Sequence, residues 1–244
     1  MANPASVPVS VIMPAYNEED GIQTAVTAVR EQVLDRVPGA EVIVVNDGSR
    51  DQTGTLLDAI AAADPRVRVL HTPNGGHGTA LMRGLAEARA EYVFLIDGDN
   101  QIPLEAFPDL WAVAQNGDGP RLDGVFGVRQ VRNDAYIRRL LTRFIRWSLV
   151  LMFRIRIKDA NVPYKLVRRR VWLEAKSFIP DGTLAPSLFL AVYMKRKRST
   201  LAFVPVAHRD RVTGTVSIRR WKLIKFCARG FRQLLDLRRA LRGI

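Results

Sequence analysis

Asp97, Asp99 and Gln101 fall within five positions, directly after the apolar run Tyr92-Val93-Phe94-Leu95-Ile96. Two carboxylates and an amide at the end of a buried strand supply the oxygen donors that Mg2+ or Mn2+ takes. Such ions commonly share their coordination with substrate phosphates. The expected chemistry is a metal-held nucleoside diphosphate whose attached group is transferred. A D-x-D triplet alone is common by chance, and a strand followed by an acidic turn would read the same way. The weight comes from its surroundings. Two further polar clusters follow apolar runs, at residues 14–18 and at Asn46-Asp47-Gly48-Ser49-Arg50-Asp51. Gly75-Gly76-His77-Gly78 precedes a helical pattern, and helix N-termini attract phosphate.

The elements that must position these groups alternate. Short β-branched runs predict strands over 9–13, 41–45, 67–70 and 92–96. Between them lie helical patterns over 17–34, opened by acidic residues that suit the helix dipole, and over 52–63 and 78–90. Ser49 or Asp51 is placed to cap the second of these helices. This alternation predicts a largely parallel sheet covered by helices, with ligands beyond the carboxyl ends of the strands. All three polar clusters sit at such ends. No G-x-G-x-x-G follows the first strand and there is no Walker sequence, which argues against a dinucleotide or P-loop site. Further on, a helix over 105–115, a strand over 124–128, a long helix over 136–152, a turn followed by an extended segment over 159–170, a helix over 184–196 and a strand over 201–206 are expected. In the long helix, Ile137, Leu141, Phe144, Ser148 and Leu151 share one side.

Charge divides the chain. Among 244 residues the net charge is +13, but residues 1–120 carry 7 Lys+Arg against 17 Asp+Glu, and residues 121–244 carry 30 against 7. The basic half therefore suits an anionic partner: a phosphorylated substrate, a membrane surface or nucleic acid. Nucleic acid is disfavoured, because no recognised binding motif accompanies the charge and the acidic strand ends would be left unexplained. Cys227 is the single cysteine, so no internal disulfide can form. Pro4, Pro8 and Pro14 interrupt the N-terminal stretch, which lacks a signal-peptide pattern. No apolar run reaches the ~18–20 residues that span a bilayer. From 215 to 244, Trp221, Ile224, Ala228, Phe231 and Leu235 recur at helical spacing among arginines and lysines. That segment reads as a basic amphipathic helix at a membrane interface, the alternative being a helix docked on the protein's own core.

These motifs resemble those of family 2 inverting glycosyltransferases of the GT-A fold, and most closely the dolichol- and polyprenyl-phosphate sugar synthases. The matching residues are Val11-Ile12-Met13-Pro14-Ala15-Tyr16-Asn17-Glu18, Val44-Val45-Asn46-Asp47-Gly48-Ser49-Arg50-Asp51, Gly78-Thr79-Ala80 with Gly84, and Asp97-Gly98-Asp99-Asn100-Gln101. Arg129 with Arg132, Asp159 with Lys165, and His208 with Arg211 match later signatures. Departures include Gly98 and Asn100 within the acidic motif, and His77 where relatives often carry Lys or Leu. The resemblance covers roughly residues 8–214, which defines a Rossmann-like GT-A domain of 1–214 followed by the basic segment of 215–244.

The resemblance implies that Pro14, Tyr16, Glu18 and Asp47 line the nucleoside pocket, and that Asp99 and Gln101 ligate the metal. Asp97 would touch metal or sugar. Arg129 and Arg132 would hold an acceptor phosphate, backed by Lys165 and Arg211, while Asp159 would orient the sugar or an arginine. His208 is expected to be a packed, structural histidine. The implied reaction moves a sugar such as mannose or glucose, carried by GDP or UDP, to a polyprenyl or dolichyl phosphate. Its implied place is the cytoplasmic face of a membrane, with a separate membrane-protein partner a further expectation. A soluble transferase acting on a saccharide or protein hydroxyl, and a non-catalytic basic binding module, are the competing readings.

Overall fold

The computed structural model describes residues 8–98, 101–115, 121–130, 136–180, 182–208 and 220–243, with backbone only at 136–142, 144 and 220–227. The first four apolar runs form β1 (Val9–Ala15), β2 (Glu41–Asn46), β3 (Val67–His71) and β4 (Tyr92–Ile96). Between them lie α1 (Ile22–Val29), extended by a π-helical turn over Arg30–Leu34, then α2 (Thr53–Ala63) and α3 (His77–Glu87). The second half supplies α4 (Phe107–Gln115), β5 (Gly124–Arg129), α5 (Tyr136–Phe153), β6 (Tyr164–Arg168), α6 (Arg169–Ala175), α7 (Pro186–Arg196), β7 (Leu201–Val206) and α8 (Arg220–Ala240).

Seven strands make one sheet in the order β3-β2-β1-β4-β6-β5-β7. Every neighbouring pair is parallel except the two that β6 makes. The sheet is therefore mostly parallel, as expected, with one strand reversed. That reversal positions the site. The carboxyl ends of β4 and β5 and the amino end of β6 reach the same sheet edge, so the segment leading into β6 joins the strand-end clusters there.

Alternation along β1 splits the core into two layers. Ile12 points into a layer with α3, α6 and α7, whereas Val11 and Met13 point into a layer with α1 and α4. With both faces covered, each strand can be apolar throughout, which is why β1 and β4 read as continuous runs. Gly78 lets α3 pass close to the chain ahead of α7: a Cβ there would lie 1.9 Å from the Thr183 carbonyl oxygen.

Three expectations need correction. The first helix begins at Ile22, not at Asn17. Asn17 is left-handed, with φ 51°, and its side chain accepts from the Arg50 amide at 2.8 Å. The amides of Asn17, Glu18 and Glu19 donate to Ser49 Oγ, Thr53 Oγ1 and Asp51 Oδ2. The acidic run is spent on tying two strand ends together, a use that competes with helix initiation. The extended segment stops at Arg168, and α6 follows. Along α5, Ser148, Leu149, Met152 and Phe153 face the core, while Leu151 is exposed. In α8, Leu234 and Leu237, followed by Leu241, are buried in the same layer as α7, whereas Ala228 is exposed. This part of the basic segment thus docks on the core, and Leu235 of the expected stripe packs partly against it, while the side chains of Trp221 and Ile224 lie outside the described residues.

Candidate active site

The three strand-end clusters meet. Pro14 near the end of β1, Tyr16 and Glu18 after it, Asp47 after β2, and Asp97 and Gly98 after β4 line one cleft of about 410 Å³, closed on another side by Asn74, Gly76 and His77. Local bonding explains its shape. Asp47 is only 2% exposed, and its two carboxylate oxygens accept the amides of Gly75 and Gly76, each at 2.8 Å. Hydrogen bonds to a charged acceptor are among the stronger ones in proteins. They draw the loop before α3 over the cleft, where Gly76 adopts φ 84°. Asp47, expected to contact the nucleoside directly, also frames the cleft through the loop it holds. Tyr16 stays 43% exposed and offers a ring face to the opening.

Asp97 stands at the centre. It lines this polar cleft and also a second, mainly apolar cavity of about 270 Å³ on the far side. Its Oδ1 lies 3.6 Å from His77 Nε2, so the first residue of α3 is also drawn to the site. Gln101, Arg129 and His208 line the apolar cavity, with Leu184 just ahead of α7, Phe189 from α7, and Phe231 and Leu234 from α8. Asp99, Asn100, Arg132 and Arg211 lie outside the described residues. Among the described residues, no three His, Cys, Asp or Glu side chains gather into a metal cage. Asp97 and Gln101 nevertheless offer hard oxygen donors beside the cleft. A cation that takes its remaining ligands from water and phosphate fits such a partial set.

Arg129 ends β5 with its side chain gripped by Asp159. Nε reaches Oδ2 at 2.7 Å and Nη2 reaches Oδ1 at 2.6 Å, in a two-pronged pair with side chains only 13% and 8% exposed. The same carboxylate accepts the Arg129 amide at 3.3 Å. Of the two roles expected for Asp159, orienting an arginine is the one this geometry displays. The pair aims Arg129 at the apolar cavity and at an adjoining groove of about 610 Å³, which Gln101 and His208 also line.

Lys165 does not reach either space and cannot be a direct phosphate contact in this arrangement. It is fully buried, and Nζ donates to the carbonyls of Ala160 and Val162 and to Ser187 Oγ. Burial pushes its ammonium down to about 7, a fall opposed by Asp159 and reinforced by Arg129. Its position makes it a peg that ties the turn carrying Asp159 (φ 47°) to the start of α7. Two further residues at the site carry little sequence signal. His77 could be found only as the polar member of a glycine-rich turn opening a helix. Asn161 lines both the cavity and the groove, and only its place in a turn between Asp159 and Pro163 marks it.

The model of the family described as Glycosyl transferase family 2 matches residues 10–185. An undecaprenyl-phosphate 4-deoxy-4-formamido-L-arabinose transferase of Pseudomonas fluorescens (strain Pf0-1) is 29% identical over 211 residues, 84% of this chain and 58% of that protein. A bactoprenol glucosyl transferase of Shigella phage SfV is 29% identical over 226 residues, 91% of this chain and 70% of that protein. The chain thus spans between about a third and 70% of the length of its first curated relatives. Among solved structures, glucosyl-3-phosphoglycerate synthase from Mycobacterium tuberculosis in complex with UDP superposes with a TM-score of 0.68 at 22% identity, over 96% of this chain and 81% of that one. Its complex with Mn2+, UDP and glucosyl-3-phosphoglycerate gives 0.65 over 96% and 80%. At this identity the likeness concerns the fold, which is that of the GT-A glycosyltransferases.

Proposed function

The chain belongs to glycosyl transferase family 2, and from that premise we propose that it moves a sugar from a nucleotide sugar to a polyprenyl phosphate at a membrane surface. One observation carries the reading: Asp97 lines both a polar cleft and a mainly apolar cavity, and Arg129 lines the latter. The polar side suits a nucleoside diphosphate. Tyr16 offers a ring face, while Glu18 and Asp47 offer acceptors for ribose hydroxyls or base N–H groups. The apolar side, with its arginine, suits a phosphate attached to a hydrocarbon. The relatives named for undecaprenyl phosphate and bactoprenol support this acceptor class.

The acceptor phosphate is already anionic near neutral pH, so the reaction needs no protein base. Its oxygen attacks the anomeric carbon as the bond from that carbon to the donor's diphosphate breaks. The bonding electrons leave with the nucleoside diphosphate, in one inverting step without an enzyme nucleophile. Arg129, kept in place by Asp159, offsets repulsion between the two anions and aims the acceptor. Asp97 borders both spaces, so its carboxylate is the group assigned to orient the sugar. A bound Mg2+ or Mn2+, held by Asp97 and Gln101 together with Asp99, would neutralise charge on the departing diphosphate. Glucose, mannose and 4-deoxy-4-formamido-L-arabinose are the sugars to try first, and the cytoplasmic face of the membrane is the proposed place of action.

The test incubates the protein with polyprenyl phosphate in detergent micelles, Mg2+ or Mn2+, and a panel containing UDP-glucose and GDP-mannose. Sugar recovered on the lipid supports the reading. Donor binding with transfer only to a saccharide or protein hydroxyl overturns it.

A further inference from the structure

We infer that α5 carries the surface by which this protein docks on an anionic bilayer, and that the groove beside it leads from that surface to Arg129. Most large apolar side chains of the described residues are buried. Trp147 and Leu151 are the most exposed exceptions, at 71% and 80%. They stand four residues apart on one helix and therefore side by side. Arg143, one turn before Trp147, is exposed, as are Arg146 and Arg154. The opposite face of the helix is occupied: Leu149, Met152 and Phe153 pack into the core. Trp147 and Leu151 are consequently not surplus core residues.

Composition selects the occupant. Residues 136–158 hold seven arginines and lysines and no Asp or Glu. Two copies meeting face to face through this patch would oppose arginine to arginine, which costs binding. A tryptophan and a leucine ringed by cations suit the boundary between lipid headgroups and chains, where indole rings concentrate and basic residues meet anionic lipid. The patch also adjoins an entry to the site. The groove of about 610 Å³ runs between α5, through Ile145 and Val150, and the following segment, through Ile155. Arg146 and Arg156 line it, and so do Arg129 and Asp159. A lipid phosphate drawn from the bilayer would meet cations along this route and apolar walls for its chain. The docking surface stands on α5 alone; its role as an entry rests on the polyprenyl-phosphate reading.

The experiment compares the protein with the Trp147→Glu/Leu151→Glu double variant in co-sedimentation with phosphatidylcholine vesicles, with and without phosphatidylglycerol. The expected result is binding to the anionic vesicles only, lowered about tenfold or more in the variant, with unchanged thermal melting. Arg143→Gln and Arg146→Gln should each lower it about fivefold, in line with the contribution of one basic residue near an anionic surface. Sugar transfer in detergent micelles should survive the double substitution, since Trp147 and Leu151 lie outside the site. Unchanged vesicle binding by a normally folded double variant overturns the proposal. So does binding lost instead on substituting Arg238 and Arg239 of α8, or a dimer that dissociates in the double variant while vesicle binding persists. Transfer that fails in micelles, with vesicle binding still dependent on Trp147, overturns the polyprenyl-phosphate reading and leaves the docking surface standing.

Discussion

The two sides of Asp97 are held by different means. On the donor side, backbone amides are tied to side chains: Glu18 to Thr53, Glu19 to Asp51, and Gly75 and Gly76 to Asp47. Many short bonds share the task, and no buried cation takes part. On the acceptor side, one ion pair, Arg129 with Asp159, and one buried ammonium, Lys165, orient the whole arrangement. A distributed scaffold fails gradually, whereas a scaffold resting on one buried pair and one buried ammonium fails at either, because an unpaired buried charge is costly.

The comparison is broken first at its boundary. Asp97→Asn should lower turnover about 100-fold, the scale of losing one electrostatic stabiliser, with both substrates still binding; Asp99→Ala should do the same. Near-normal single-turnover rates in either folded variant would remove the acidic motif from the chemistry. Next, Asp159→Ala should raise the acceptor KM about tenfold or more while leaving the donor KM unchanged, since it frees Arg129 without touching the cleft. Thermal denaturation should show a loss of about 3 kcal/mol, the lower end for breaking a buried pair. An equal rise in both KM values would mean that the two sides are not separate. Asp47→Asn should do the reverse. It presents an N–H where the Gly75 and Gly76 amides need acceptors, at a cost of about 1–3 kcal/mol. Isothermal titration should show weaker nucleotide binding, with acceptor KM preserved.

The smallest effect concerns Lys165 and is best read against pH. Its folded value of about 7 lies below the ordinary lysine value of 10.5. Below pH 7 the folded and unfolded chains both hold the proton. Between 7 and 10.5 only the unfolded chain does, so this group makes stability rise with pH across that window. Lys165→Met should be less stable throughout and should lack this rise when melting temperatures are followed from pH 7 to 10. A variant whose melting profile runs parallel to that of the parent would show that Lys165 keeps its proton when buried.

Much of the donor side was legible in the sequence because its determinants are local. Apolar runs followed by polar clusters mark strand ends, and a parallel sheet brings those ends together. The acceptor side was less so. Lys165 alternates with Tyr164 and Leu166 in a strand buried on both faces, yet lysine is among the residues least often buried, so a surface role was the natural expectation. Asn17-Glu18-Glu19-Asp20 carries charges suited to a helix start, and only contacts some thirty residues away reveal its use as a clasp. The direction of β6 has no local signature, because a buried strand has the same composition either way round. In α8, a helix rich in apolar residues allows more than one stripe, and Leu234 and Leu237 are the residues that reach the core layer.

The reversal of β6 has one more result. The chain leaves the sheet at the end of β5 and re-enters at the start of β6, and these strands are paired neighbours, with Phe126 opposite Lys165. Among the described residues between them, α5 and the turn bearing Asp159 form an excursion that starts and ends at one place on the sheet edge. Such a segment behaves as a cassette. It can be exchanged for another with little disturbance to β1–β4, provided its two roots and its seating in the core through Leu149, Met152 and Phe153 are kept. On the proposed function, such an exchange would alter the acceptor side and leave the nucleotide cleft in place.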